Sequence, residues 1–402
     1  MAGKDEFNPQ AFIDEQVNAI RKVLGKEKAI IACSGGVDST TCAVLTRKAI
    51  GDNLICVFID TNFMRLGEPE GVVETLSSPP MNLPVKLIRA QARFMDALRG
   101  LEDAEEKRKA FRSTFYNVLS EAAKEEKCRF LVQGTILPDI IETVKGIKTQ
   151  HNVLEQMKID TREAYGFKLV EPLVSLYKPQ VREVARRLGM PLDTSERQPF
   201  PGPGLSVRVV GVITPEKLDV EKKATEVVEK GLEGLKPKQY FPATIDAQTV
   251  RYSKADEVEE AISSLLEGKE VTIKVQVLKT RATGIRGGAR LYGKIVTVDV
   301  RDGKGKCLGL SARTLGNIQR RATEIDGDVS RVLYRLTDRE QAGKWVIAIR
   351  AVETSDFVTA SAFNVPWRTL KKIGEQMLGS SGDVSAVYYD ITPKPPASIE
   401  FE

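Results

Sequence analysis

The 402-residue chain is longer than most single domains, so we expect at least two domains, each with its own hydrophobic core. Apolar residues make up 42% and charged residues 29%, which excludes a disordered or fibrous protein. The 60 basic residues nearly balance the 55 acidic ones, which argues against nucleic-acid binding, and no segment reaches the ~20 apolar residues of a membrane span. Five cysteines without metal or disulfide spacing favour a reducing, cytoplasmic location.

Short apolar runs alternate with amphipathic stretches in the first half of the chain. This alternation predicts an α/β fold, with a parallel five-stranded, doubly wound sheet covered by helices. Two polar segments, 95–112 and 140–166, are predicted to be mobile loops. In chain order, the predicted strands are Lys28–Cys33, Leu54–Asp60, Pro84–Ile88, Cys128–Gln133 and Lys168–Pro172, and the predicted helices are Thr40–Ile50, Lys109–Lys127 and Lys178–Leu188.

The alternation stops at Pro199–Gly204, where three prolines and two glycines in six residues interrupt both helix and strand. We therefore place a domain boundary there, between 1–204 and 205–402. In the second part, Arg313–Thr337 aligns without gaps with Arg368–Thr392, and eleven of the 25 positions are identical. The repeat predicts two α+β units, at about 290–340 and 343–402. We expect a pair of related sheets, which would build a symmetric homodimer.

The segment Ser34–Ser39 carries the strongest local signal. It follows an apolar run and precedes a helix, where backbone N–H groups and a helix N-terminus can bind an anion. Gly35 and Gly36 let the chain fold tightly around phosphate oxygens. The lysine of a Walker A loop is absent, which indicates that the loop holds a leaving pyrophosphate rather than a γ-phosphate in transfer. The alternative is a simple strand-to-helix turn capped by Asp or Ser.

The Ser-Gly-Gly-Val-Asp-Ser motif resembles the pyrophosphate loop of the N-type ATP pyrophosphatases, which include GMP synthetase, NAD synthetase, asparagine synthetase and tRNA-thiolating enzymes. Further segments resemble GMP synthetase in particular. They are, in order, Gln133–Asp139, Ile147–Asn152, Leu169–Leu173, Arg197–Gly204 and the tail Lys394–Glu402. The resemblance implies an adenine nucleotide alpha hydrolase-like sheet. It also implies an enzyme that adenylates XMP with ATP and lets ammonia displace AMP, giving GMP.

The resemblance also implies roles for individual residues. Mg²⁺ is the implied cofactor, at Asp38 and Asp139, because this cation prefers carboxylate and phosphate oxygens. Asp38, Lys148 and Lys178 are implied to be catalytic, with the lysines neutralising the departing pyrophosphate. The residues implied to bind ATP and pyrophosphate are Ser34, Gly35, Gly36, Val37, Asp38, Ser39, Thr40, Asp60, Gln133 and Gly134, and Asp60 could instead cap a turn.

XMP binding is implied for Arg108, Arg197, Lys394, Ile399 and Glu400, although the tail could simply complete the last sheet. The Cys-His-Glu glutaminase triad of two-domain GMP synthetases cannot be built, because only a short segment precedes the Ser34–Ser39 loop and His151 is the one histidine. His151 itself could act as a base, but a lone histidine in a polar loop is more often structural. The implied ammonia source is a separate glutaminase subunit or solution. Two other functions stay open: another ATP pyrophosphatase, NAD synthetase-like or tRNA-modifying, and an inactive binding paralogue.

Overall fold

The computed structural model describes residues 7–144, 161–191, 200–339, 343–355 and 358–402. The chain divides into two compact units: Met1–Ala97 with Lys109–Gly202, and Leu98–Arg108 with Pro203–Glu402. The second unit thus takes a short segment from the first half of the chain, and a domain boundary at 204 stays a prediction. Within the described residues, no helix is long and apolar enough to cross a lipid bilayer.

The described residues of the first unit form one parallel five-stranded sheet, so the predicted α/β fold is confirmed. The strand order is β3-β2-β1-β4-β5, which reverses direction at β1. In such sheets a ligand crevice lies where the order reverses, outside the carboxyl ends of β1 and β4. The strands are β1 (Ala29–Ala32), β2 (Leu54–Asp60), β3 (Val85–Arg89), β4 (Phe130–Val132) and β5 (Lys168–Val170).

Helices cover both faces of this sheet, because β1 and β2 are apolar along almost their whole length and need cover on each side. The helices are α1 (Pro9–Leu24), α2 (Val37–Ile50), α3 (Glu68–Ser77), α4 (Gln91–Ala97), α5 (Ala104–Glu125), α6 (Leu137–Val144), α7 (Thr161–Tyr165) and α8 (Lys178–Arg187). Pro179 lies in the first turn of α8, where the missing N–H of proline removes no helical hydrogen bond.

The prediction of a mobile loop at 95–112 is wrong. The end of α4 and the start of α5 occupy most of this segment. The Asp103 carboxylate accepts hydrogen bonds from the backbone N–H groups of Glu105 and Glu106, both at 2.9 Å, so the polar run begins a helix. Most of the second predicted loop, 140–166, lies outside the described residues.

The described residues of the second unit form an eight-stranded mixed sheet, in the order β12-β11-β13-β10-β9-β8-β7, with β6 paired to β11. Its helices are Pro215–Leu232, Ala255–Leu265, Ala312–Ile325 and Trp367–Ser380, and all four contribute to one hydrophobic core with the sheet. The strands are β6 (Gln239–Asp246), β7 (Thr249–Val250), β8 (Val271–Arg286), β9 (Ala289–Asp302), β10 (Val329–Asp338), β11 (Trp345–Glu353), β12 (Ser361–Ala362) and β13 (Val384–Asp390).

The two sequence repeats are joined in this single sheet, so the expectation of two related sheets is wrong. Each repeat is a β-α-β unit with a parallel strand pair, β9 with β10 and β11 with β13. The inner strands β10 and β13 pair antiparallel, with Tyr334 opposite Tyr389, which places a pseudo-two-fold axis between these residues. Through this pairing, β10 and β13 form backbone hydrogen bonds along the strand edges that would be unpaired in a single repeat. A homodimer stays a prediction.

The two tyrosines make equivalent hydrogen bonds. The Tyr334 hydroxyl donates to the Leu308 carbonyl at 2.7 Å, and the Tyr389 hydroxyl donates to the Phe363 carbonyl at 2.5 Å. We expect Tyr334→Phe and Tyr389→Phe each to lower the free energy of unfolding by about 1 kcal/mol, since each removes one buried hydrogen bond. Urea denaturation measures this, and a substitution without effect would show that the repeats are not energetically equivalent.

Candidate active site

The Ser34–Ser39 loop joins β1 to α2 at the carboxyl edge of the parallel sheet. Gly36 is the N-cap of α2, and no side chain of the described residues caps it, so the N–H groups of the first helical turn lack intrahelical acceptors. Gly35 has a φ of +74°, which a side chain would strain. The Ser34 and Ser39 hydroxyl oxygens lie 2.9 Å apart and brace the loop. Such an open helix start favours an anion, and its contact with a phosphate stays a prediction.

Gln133 and Gly134 follow β4, beside this loop. A Cβ atom on Gly134 would lie 3.0 Å from both the Asp38 carbonyl carbon and the Ser39 nitrogen, so a larger residue would push the start of α2 away by a few tenths of an ångström. The Gln133 backbone N–H donates to the Val170 carbonyl at 2.9 Å. The close approach places Gly134 at the loop, and the contact of either residue with a nucleotide stays a prediction.

Asp38 and Lys178 are distant in sequence and meet in the structure. The Lys178 ammonium donates to Asp38 Oδ2 at 2.5 Å, across the first turns of α2 and α8. Their side chains are 27% and 40% exposed, so solvent screens the pair and it contributes little to stability. The structure therefore brings together two of the three residues predicted to be catalytic. Lys148, the third, lies outside the described residues, as does His151.

The carboxylates at this edge fit a hard divalent cation. Asp38 Oδ1 is a buried acceptor with no hydrogen-bond partner among the described residues. Asp139 lies in the first turn of α6, where its Oδ2 accepts from the Ile136 N–H at 3.0 Å. No cluster of three metal-binding side chains occurs in the described ranges. This set suits Mg²⁺ that takes its other ligands from phosphates and water, rather than an all-protein cage.

Asp60 caps a turn, which is the alternative to nucleotide binding that the sequence analysis considered for it. It ends β2 and is 3% exposed. Its Oδ1 accepts from the Asn62 N–H at 3.0 Å, and its Oδ2 accepts from the Gln91 side-chain amide at 2.6 Å. The carboxylate thus holds the turn after β2, and its contact with a nucleotide stays a prediction.

In the second unit, Glu400 is held by side chains that sequence reasoning missed. Its carboxylate accepts two hydrogen bonds from the Arg208 guanidinium, at 3.0 and 3.1 Å, and one from Gln239 at 3.0 Å. The Arg208 guanidinium is fully buried and stacks on Phe241 at 4.1 Å. The orientation of the Glu400 carboxylate is therefore fixed before any ligand arrives.

Arg108 shares a carboxylate with a second arginine. Arg108 and Arg290 both contact the same Glu105 carboxylate oxygen, at 3.3 and 3.2 Å. Burial and the neighbouring Arg108 charge lower the pKa of Arg290. A guanidinium group suits a phosphate, and the contact of Arg108 with XMP stays a prediction.

The remaining residues predicted to bind XMP lie in the tail, apart from Arg197, which is outside the described residues. The Lys394 backbone pairs with Ala360 through two hydrogen bonds, at 2.7 and 3.0 Å, and Ile399 packs on the core of the second unit. Part of the tail thus extends the sheet, which is the simpler role considered for it.

Two family models match the chain: the PP-loop domain over residues 9–196 and the GMP synthase C terminal domain over residues 339–401. Together with the uncapped loop on a parallel sheet, the first match shows that the first part of the chain is a PP-loop domain.

Full-length relatives identify the family. The chain is 43% identical to a subunit of glutamine-hydrolysing GMP synthase from Sulfurisphaera tokodaii over 396 residues, which cover 98% of this chain and 100% of the relative. The same subunit from Saccharolobus solfataricus is 42% identical, and that from Methanopyrus kandleri 39%, with the same coverage. The chain therefore belongs to this family of GMP synthase subunits, which confirms the predicted resemblance.

The close contact at Gly134 gives a test of the loop. We expect Gly134→Ala to lower ATP turnover at least ~10-fold, because the new methyl group displaces the first turn of α2, while overpacking costs only about 1–3 kcal/mol of stability. Steady-state kinetics and thermal unfolding measure the two effects. Gly71→Ala in α3 is the control, since its Cβ would meet open space. Unchanged ATP turnover in Gly134→Ala would contradict this role.

Proposed function

We propose that this chain makes GMP from XMP, ATP and ammonia, by adenylating O2 of XMP and letting ammonia displace AMP. Membership of the GMP synthase subunit family supports the product. The observation that carries the chemistry is the lysine-free loop beside the Asp38–Lys178 pair, 2.5 Å apart. The loop presents backbone N–H groups to an anion, and the positive charge beside it comes from Lys178 on α8 rather than from a lysine of the loop. This arrangement suits a departing pyrophosphate.

In the first step, O2 of XMP attacks the α-phosphorus of ATP, the new O–P bond forms and the bond to pyrophosphate breaks. The loop amides and Lys178 stabilise the charge that develops on pyrophosphate. A helix terminus supplies only about half a charge, so further cations are needed. Mg²⁺ held by Asp38 and Asp139 would neutralise phosphate charge, and Lys148 would supply a further positive charge. Ser34, Thr40, Asp60 and Gln133 complete the proposed ATP site.

In the second step, ammonia attacks C2 of the purine, the C2–O bond breaks and AMP leaves with the oxygen while the nitrogen loses protons to give the amine of GMP. We assign the XMP phosphate to Arg108 and Arg197, and the ring N–H groups to Glu400, with Lys394 and Ile399 beside them. A separate glutaminase subunit would supply ammonia, in agreement with the names of the relatives, each a subunit of a glutamine-hydrolysing enzyme. The chain would work in the cytoplasm as a homodimer.

The test uses the purified chain with Mg²⁺, ATP, XMP and ammonium. We expect AMP, pyrophosphate and GMP in equal amounts, and no pyrophosphate without XMP. Pyrophosphate release that ignores XMP but responds to nicotinate adenine dinucleotide or tRNA would identify another ATP pyrophosphatase. ATP binding without turnover under any of these conditions would identify an inactive paralogue.

A further inference from the structure

A buried ion pair joins Lys107 to Glu402 in the second unit. The two side chains are 1% and 0% exposed. The Lys107 ammonium also donates to the carbonyl groups of Val209 at 3.0 Å and Gly211 at 2.8 Å. Glu402 Oε1 accepts from the Gly211 N–H at 2.8 Å and from the Tyr292 hydroxyl at 3.3 Å. The pair thus joins three segments of the second unit: residues 98–108, the turn at 209–211 and the tail.

Stability alone does not account for this pair. Burial lowers the pKa of Lys107 and raises that of Glu402, although each partner's charge opposes the shift of the other. The desolvation of two charges costs about as much as their attraction returns, and replacing such a pair with neutral groups is often tolerated. What the pair does provide is a fixed geometry, because every hydrogen bond around it is directional.

The residues beside the pair are those predicted to bind the two ends of XMP. Arg108 directly follows Lys107 and shares Glu105 with Arg290. Glu400 lies two residues before Glu402, and Arg208, which holds its carboxylate, directly precedes the Val209 carbonyl that Lys107 binds. A group suited to a phosphate and a group suited to purine N–H donors are thus attached to opposite partners of one ion pair.

We propose that Lys107 and Glu402 are positioning residues for XMP: their ion pair fixes Arg108 relative to Glu400, so that one nucleotide monophosphate engages both at once. This inference rests on the proposed function. Neither residue of the pair needs to touch the substrate. A displacement of about 1 Å between binding groups can cost on the order of 100-fold in rate. The benefit of fixed positions therefore outweighs the desolvation cost of the buried ion pair.

The test is the double variant Lys107→Met/Glu402→Gln, which leaves no unpaired charge in the core. We expect its KM and calorimetric Kd for XMP to rise on the order of 10–100-fold, with the KM for ATP close to that of the wild type. The melting temperature should fall, because the Val209 and Gly211 carbonyl groups lose their donor. The control is Tyr334→Phe, which removes a buried hydrogen bond of the same unit. It should lower the melting temperature and leave the KM for XMP unchanged.

Two results would overturn the inference. One is unchanged XMP affinity in the double variant, and the other is a parallel loss of XMP affinity, ATP affinity and melting temperature, which marks a purely structural pair. If the double variant does not fold, Glu402→Gln alone keeps the shape of the side chain and is titrated with XMP in the same way. A wild type that makes no GMP from XMP would instead refute the proposed function, so the two failures are distinguishable.

Discussion

Replacing Asp38 by alanine is expected to slow XMP-dependent AMP formation at least ~100-fold. The substitution removes both the anchor of the Lys178 ammonium, at 2.5 Å, and the buried Oδ1 acceptor that suits Mg²⁺. The fold should persist, because an acidic residue in the first turn of a helix stabilises it by only about 0.3–1 kcal/mol. Quenched-flow or steady-state product analysis measures the rate, and thermal unfolding measures the stability.

Asp52→Asn is the matched control for Asp38. Asp52 lies just after α2, pairs with Arg47 at 2.6 Å and is 96% exposed, so its loss should change neither rate nor stability measurably. Lys178→Met should slow the same step, and the double variant with Asp38→Ala should be little slower than Asp38→Ala alone, since the two groups act as a unit. Wild-type turnover in Asp38→Ala would refute the assignment of the site.

Asp390→Asn is expected to destabilise the second unit by about 3–5 kcal/mol. Asp390 Oδ2 accepts from the Arg331 guanidinium at 2.9 Å and from the Arg350 guanidinium at 2.7 Å, and all three side chains are fully buried. The asparagine would leave both cations without their carboxylate. Urea denaturation measures the loss. Asp383→Asn is the control, because its pair with Lys344 is exposed and should cost less than about 1 kcal/mol.

The same carboxylate predicts a pH dependence. Burial alone would raise the pKa of Asp390, but the Arg350 and Arg331 charges outweigh burial and hold the pKa below its ordinary value. A carboxyl whose pKa is lowered on folding stabilises the protein above its unfolded pKa of about 3.9, and this contribution is lost as the pH falls towards the folded value. The stability difference between wild type and Asp390→Asn should therefore shrink below about pH 4. A difference that does not change with pH would contradict this account.

The sheet of the first unit could be predicted from the sequence because its signals are local. Apolar runs mark strands that are buried on both faces, and the two glycines of Ser34–Ser39 mark the turn into α2. The long hairpin of β8 and β9 was missed, although alternating residues and the Gly287-Gly288 turn, both at positive φ, carry a hairpin signal. Apolar runs, alternating residues and paired glycines can all be recognised in the sequence because each depends only on neighbouring residues.

The partners of the charged side chains could not be predicted, because they depend on contacts between distant parts of the chain. The polar run at 98–108 is typical of an exposed loop, and only the fold shows that Lys107 is buried against Glu402. The hydrogen bonds from Gln91 to Asp60 and from Arg208 to Glu400 likewise join residues that are distant in the sequence. A local pattern predicts which residue types a site contains, whereas the fold decides which of their atoms are already engaged.

The most direct test of the adenylation chemistry follows the oxygen atom at C2 of XMP. If this oxygen attacks the α-phosphorus and leaves with AMP, XMP that carries ¹⁸O at C2 must give AMP with the label in its phosphate, as mass spectrometry of the products would show. Unlabelled AMP, or ADP and orthophosphate as the spent nucleotide products, would contradict the account.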